Sequence, residues 1–389
     1  MGKRGRVVKL AIPVLASGFF GQIIGLSTRI AISYEAVAMG LQPFAVLALS
    51  SVFSFLPIFM AMHVGRFNDR NGSGPGVMIG AIILLLGVAL PVFLSGSVAM
   101  LVLSMACLGV GQTLQIAALQ AEISQIGRAR LRDRMIGGFM LYQSLGQVLA
   151  PLMLTTAGLF HSGTPHVVLF RIALGTALVQ LALAAPIRRI ARHPGRREQP
   201  VPFRTIISTQ GLVWLAVSGS LCVATQEIAY VFTPIIGTER NIEPAFVGIM
   251  LGTFAITQLI ARAAYSHAAR ILGRERLMAA SLAVSAITFT IFALPLPPLA
   301  MTGLLAIAGL SLGFAVTCSV SLTMQLAPAR ARATTLSLRL AVNRIGQFAL
   351  PLVSGSTTAL LGVGGVFLTS GLVIAFCLPL LPATLRHKA

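Results

Sequence analysis

Twelve apolar runs separated by short polar breaks fill the chain from residue 10 to residue 384, near 10–33, 44–64, 76–94, 98–120, 135–157, 166–187, 211–234, 244–265, 277–295, 299–323, 333–356 and 364–384. Each matches the roughly 20 residues that an α-helix needs to cross the hydrocarbon of a bilayer. The ten-residue alternation of a membrane barrel is missing. This pattern predicts an all-α integral membrane protein with twelve transmembrane helices. Composition agrees: of 389 residues, 56% are hydrophobic and 10% charged, against about 25% charged in a soluble domain. A cytosolic enzyme, a disordered chain and a disulfide scaffold are excluded. The four cysteines, Cys107, Cys222, Cys318 and Cys377, sit far apart in apolar runs, with no metal-ligand spacing, and read as small core residues.

The formal charge is +20. In a soluble protein that balance would indicate a nucleic-acid partner, but in a membrane protein Lys and Arg gather on cytoplasmic loops. Of the 29 basic residues, 23 lie at the termini or in alternate breaks, including Arg66 and Arg70, Arg128 to Arg134, Arg188 to Arg204, Arg270 to Arg276, and Arg330 with Arg332. The opposite breaks hold Arg240 with Glu35, Glu239 and Glu243. The alternation predicts an inner (plasma) membrane protein with both termini cytoplasmic and no nucleic-acid partner. The first run follows Lys3, Arg4, Arg6 and Lys9 but carries Arg29 and shows no small-residue cleavage site, so it reads as an uncleaved helix.

Displaced by 200 residues, the chain aligns six runs with six runs. Gly146, Gln147 and Pro151 fall on Gly346, Gln347 and Pro351; Gly109 falls on Gly309, Gln125 on Gln325 and Arg70 on Arg270. One residue out of register, "LQPFAV" resembles "IEPAFV". Polar and proline matches at one offset indicate a duplicated unit. The expected organisation is two pseudo-symmetric six-helix bundles, 1–187 and 207–389, joined by a basic cytoplasmic linker at 188–206. Parallel repeats of this kind suit a carrier whose halves rock about a central site.

The break after the second run reads "GRFNDRNGSGP". Its Gly65, Asp69, Arg70 and Gly72 resemble the signature loop of the major facilitator superfamily, Gly-x-x-x-Asp-Arg-x-Gly followed by two basic residues. Ser73 and Gly74 replace the basic pair, a departure expected to weaken contacts to neighbouring helix ends. The resemblance implies that these residues gate the change between conformations. The equivalent "YSHAARILGRER" keeps Arg270 and Gly273 and has Ala269 for the acid. The fifth run, "GGFMLYQSLGQVLAP", half-matches the antiporter motif of the drug:proton branch: Gly137, Gly146 and Pro151 fit, and Ala150, Leu154 and Thr155 depart. These three residues would make a bendable helix.

Ionisable groups inside apolar runs are costly and therefore candidates for function. Glu227 lies about 16 residues into the seventh run, roughly 24 Å along a helix. A carboxyl there suits proton loading and release, and is the candidate proton-coupling residue; the competing reading is a structural ion pair. Arg344, beside Asn343 in the eleventh run, lies at a comparable depth and is a candidate partner for Glu227 or for substrate. Arg29 lies near the outer end of the first run and Arg262 near the inner end of the eighth, where snorkelling makes a cation cheap. Gln112 and Gln115 share a helix face by spacing, as do Gln143 with Gln147, and Asn343 with Gln347. In the resembled family the first, fourth, seventh and tenth helices line the cavity. That implies substrate contacts from Gln22, Gln112, Gln115 and Gln226, joined by Asn343 and Arg344. Interhelical hydrogen bonding is the alternative for each amide.

No GxSxG elbow, phosphate-binding GxxxxGK[ST] loop or HExxH spacing occurs, so catalytic residues, metal and cofactor are not expected and energy must come from a gradient. The expected function is secondary transport by alternating access, with protons and a small organic molecule as partners, export as the direction, and a monomer in the bilayer. The alternatives are an importer of a metabolite or organic anion, and a non-transporting assembly or sensing protein.

Overall fold

The computed structural model describes residues 3–94, 96–124, 129–160, 165–190, 211–326 and 332–378. Among them are twelve α-helices and no strand: α1 (Lys3–Ala38), α2 (Pro43–Asn71), α3 (Ser73–Phe93), α4 (Val98–Ser124), α5 (Ala129–Phe160), α6 (Pro165–Ile190), α7 (Leu212–Glu239), α8 (Pro244–Leu272), α9 (Arg274–Phe292), α10 (Pro298–Leu326), α11 (Arg332–Leu361) and α12 (Gly364–Cys377). The described residues are all helical outside the turns, as predicted. Nine of the described helices are long and apolar enough to cross a membrane. The other three are α5 and α11, which carry arginines and many small polar residues, and α12, with 14 described residues.

The chain divides into two compact units. The first comprises Met1–Gly40 and Val52–Glu198, the second Leu41–Ser51 and Gln199–Ala389. Within the first unit α1 packs on α5 and α6, and α3 on α4 and α6. Within the second, α7 packs on α11 and α12, and α9 on α10 and α12. These four contacts recur with six added to each helix number, as the sequence repeat requires, and α8 also packs on α10. Most of residues 188–206 lie outside the described residues; Arg188 and Arg189 form the last turn of α6.

Matched glycines explain why the repeat persists in sequence. A Cβ on Gly146 would come within 2.5 Å of the Phe19 carbonyl oxygen of α1. Its counterpart Gly346 lies against Ser220 of α7, 201 residues after Phe19. Likewise a Cβ on Gly109 would strike the Phe53 carbonyl, and one on Gly309 the Phe254 carbonyl. Small residues let membrane helices approach to backbone contact, where dispersion and weak hydrogen bonds hold them. The contact partners follow an offset of 201 while the glycines follow 200, which accounts for the slipped "LQPFAV" match.

Candidate functional site

In the first unit the expected amides converge on α1. Gln112 and Gln115, both buried on α4, lie over Gly25 and Gly21: a Cβ on Gly25 would come 2.8 Å from Gln112 Nε2, and one on Gly21 3.0 Å from Gln115 Oε1. From the other side, Gln147 Nε2 of α5 donates to Gln22 Oε1 at 3.4 Å. Arg29, one turn beyond Gly25, donates Nε–H to the Gly25 carbonyl at 3.0 Å and stacks its guanidinium 4.5 Å above the Phe53 ring. The side chain is 6% exposed, so the outer-end cation expected to snorkel is instead folded into the bundle.

In the second unit the neighbours Gln226 and Glu227 enter separate networks, as their 100° separation on a helix demands. Gln226 donates to Gln258 of α8, which donates to the Tyr230 hydroxyl at 3.2 Å. Glu227 accepts from Gln347 Nε2 of α11 at 3.4 Å, and Arg344 Nη1 donates to Gln347 Oε1 at 3.1 Å. Gln347 therefore bridges Glu227 and its candidate partner Arg344. Its role repeats that of Gln147, 200 residues earlier, but with charged groups at its end. Asn343 is buried, and its Oδ1 has no hydrogen-bond partner among the described residues.

Sequence reasoning missed Gln258 because the family resemblance directs attention to other helices; a lone amide in the eighth run was the available signal. It also passed over Glu122, buried at the end of α4.

That acid changes the reading of the signature loop. Gly72 takes φ 79°, a left-handed conformation natural to glycine, and starts α3; Gly273 does the same for α9 with φ 77°. Ser73 then donates to Glu122 Oε2 at 2.5 Å. One contact to a neighbouring helix end is nonetheless made at Ser73, whose short hydroxyl reaches the end of α4. The side chains of Gly65, Asp69 and Arg70 lie outside the described residues.

On α5, Gly146 is at the helix contact described above and Pro151 is buried within the helix. Gly137 is exposed, with nothing within 4 Å of an added Cβ. Among the described residues no group of three or more His, Cys, Asp or Glu is placed to hold a metal ion. All four cysteines are free thiols.

The fold is shared with solved transporters. A peptide transporter POT in complex with sulfate superposes with a TM-score of 0.75 at 17% identity, covering 98% of this chain and 99% of the other. A POT family transporter in complex with 5-aminolevulinic acid gives 0.79 at 13% identity, covering 97% and 96%. The nucleoside transporter NupG gives 0.72 at 14% identity, covering 97% and 100%. At these identities the likeness concerns the fold alone. No curated protein sequence matches the chain significantly. The family profile described as Major Facilitator Superfamily matches residues 11–238 and 215–388, which together span nearly the whole chain. The chain thus belongs to the Major Facilitator Superfamily, and is a multi-pass membrane transporter, not an enzyme.

Proposed function

We propose that the chain is a proton-coupled carrier of a small organic solute, with Glu227 as the proton-binding group. The observation that carries this reading is the Gln347 bridge, which ties Glu227 to Arg344 through hydrogen bonds of 3.4 and 3.1 Å. A carboxylate that loses its charge loosens its hold on the bridging amide, and with it the restraint on Arg344. Proton loading and solute binding are then linked through one side chain. In this reading the chain spans the inner membrane twelve times as a monomer with cytoplasmic termini, in two bundles joined at 188–206. Asp69 and Arg70, with Gly65 and Gly72, gate the exchange of conformations. Gln22, Gln112, Gln115, Gln226 and Asn343 face the solute, and Gly137, Gly146 and Pro151 let α5 bend.

Two directions fit such machinery. Export follows from the half-matched fifth-helix motif, of which Gly146 makes a helix contact and Gly137 makes none. Uptake of a solute carrying an anionic group is favoured by the buried Arg29 and the half-buried Arg344, which each sit beside amides that would orient a carboxylate or phosphate. Fixed cations in a low-dielectric interior are stabilised when an anion arrives.

The test reconstitutes the purified chain in liposomes with an internal pH dye. A panel of short peptides, nucleosides and small amino and carboxylic acids is applied outside and, separately, preloaded inside. The expected result is solute-evoked proton movement that Glu227→Gln abolishes while solute exchange persists. The reading fails if no solute moves protons in either orientation, or if Glu227→Gln leaves the proton flux intact.

A further inference from the structure

The repeat allows each buried residue to be compared with its counterpart, and at one place the two units differ sharply in chemistry. In the first unit, Leu119 and Ile123 of α4 and Met135 and Phe139 of α5 belong to one apolar core with Val14 and Ile187. Phe139 is 2% exposed, and its ring would lie 2.7 Å from a Cβ on Gly18 of α1. Two hundred residues on stand Ser319, Thr323, Thr335 and Arg339.

The correspondence holds in three dimensions for Ser319 and Arg339. Gly219 of α7, 201 residues after Gly18, lies against Ser319 and Arg339; a Cβ there would be 3.3 Å from Arg339 Nη2. Four neighbouring positions that are all apolar in one unit are all polar in the other. All four side chains are nonetheless buried, Arg339 at 5% exposure. Thr335 and Arg339 are one turn apart on α11, as are Ser319 and Thr323 on α10, so each pair presents one stripe.

These polar groups are poorly satisfied within the bundle. The Arg339 Nε and Nη2 and the Thr323 and Thr335 hydroxyls have no hydrogen-bond partner among the described residues, while Ser319 donates to the Leu215 carbonyl at 3.2 Å. A buried cation without a counter-ion is strongly destabilising, and an orphaned hydroxyl adds to the cost. Packing does not require the arginine, since the other unit fills the same position with Phe139. The ligand chemistry that satisfies a guanidinium fork and several hydroxyls together is an oxyanion.

We propose that Ser319, Thr323, Thr335 and Arg339 form a binding pocket for a small oxyanion, the carboxylate or phosphate group of a solute or of a lipid, inside the second unit. The pocket lies near the start of α11, seven residues along from Arg332, on a different face from Arg344. It goes beyond the carrier reading, because binding there is an equilibrium property that needs neither a gradient nor Glu227.

The test follows thermal unfolding of the full chain in phosphatidylcholine nanodiscs, titrated with inorganic phosphate or acetate at constant ionic strength. A parallel sample uses nanodiscs containing phosphatidylglycerol. Saturating anion is expected to raise Tm by roughly 2–5 °C, from mass-action stabilisation of the folded state. A rise with soluble anions assigns the pocket to a solute group, and a rise with phosphatidylglycerol alone assigns it to a lipid headgroup. Arg339→Phe, the residue of the other repeat, is expected to fold and to lose the rise. Thr323→Val combined with Thr335→Val keeps the cation and shape, and is expected to weaken anion affinity several-fold. The proposal is overturned if no probe shifts the wild type, if Arg339→Phe responds like the wild type, or if Arg339→Phe fails to fold. Glu227→Gln should leave the shift unchanged, which separates failure of the pocket from failure of the carrier reading.

Discussion

Ser73 donates its hydroxyl hydrogen to the Glu122 carboxylate at 2.5 Å, tying the start of α3 to the end of α4. Both side chains are buried, and the bond is charge-assisted, so it belongs to the stronger class of hydrogen bonds. It forms because the left-handed Gly72 ends α2 and delivers Ser73 directly into the first turn of α3. Ser73→Ala is expected to lower unfolding stability by about 1.5–3 kcal/mol, the usual loss for a hydrogen bond to a charged group. Detergent-solubilised protein unfolded by heat or denaturant measures it. Glu122→Ala should cost more, since that carboxylate has other contacts. Equal stability of Ser73→Ala and wild type would show that the contact contributes nothing.

The glycines of α5 differ in what surrounds them, and a pair of alanine substitutions separates them. At Gly146 a Cβ would press on the Phe19 carbonyl at 2.5 Å, so α1 and α5 must move apart. Gly146→Ala is therefore expected to destabilise by about 1–3 kcal/mol, the range for overpacking a tight contact. At Gly137 an added methyl meets open space, and Gly137→Ala is expected to be neutral or to stabilise by up to about 1 kcal/mol through helix propensity. The same assay reads both. A large loss at Gly137 would contradict the open space around it.

Much of the fold was legible because a bilayer simplifies the code: run length gives the helices, and basic breaks give their order. The repeat was legible where both units need the same atom-scale contact, as at Gly109 with Gly309 and Gly146 with Gly346. The site was less legible, for the same physical reason. Its informative residues are those that differ between repeats, and aligning the units on their likeness passes over them. Arg339 in place of Phe139 is invisible to a search for matches, and Gln347 matters because Glu227 and Arg344 stand at its end where Gln147 has Gln22. Glu122 was hidden in another way. Its partner Ser73 looked like a lost basic residue until the structure placed the two together.

Arg29 and Phe53 pair across two helices of the first unit, with the guanidinium 4.5 Å above the ring. A desolvated cation over an aromatic face is worth about 2 kcal/mol. Phe53→Leu keeps apolar volume while removing the quadrupole, and is expected to lower stability by about that amount plus a packing term. Arg29→Lys keeps the charge but not the planar group that bonds the Gly25 carbonyl and stacks, so it should cost nearly as much. The double variant should lose less than the sum of the two, by about the share they have in common through the cation–π contact. Additive losses in a double-mutant cycle would mean that ring and guanidinium are energetically independent.

Gln147 and Gln347 provide the sharpest comparison for proton coupling. They occupy equivalent positions, and each donates at 3.4 Å to a residue of the facing helix, Gln22 in one unit and Glu227 in the other. Substitution by Leu removes the same amide from each, which makes Gln147→Leu the control for loss of the amide itself. Gln347 also accepts from Arg344 and so touches ionisable groups at both ends. If the bridge couples proton to solute, Gln347→Leu should lower gradient-driven transport at least ~10-fold, a change of about 1.4 kcal/mol, relative to gradient-free solute exchange in the same liposomes. Gln147→Leu should leave that ratio near the wild-type value, whatever it does to the rates themselves. Equal ratios in the two variants would assign Gln347 a packing role and return Glu227 to the status of a structural acid.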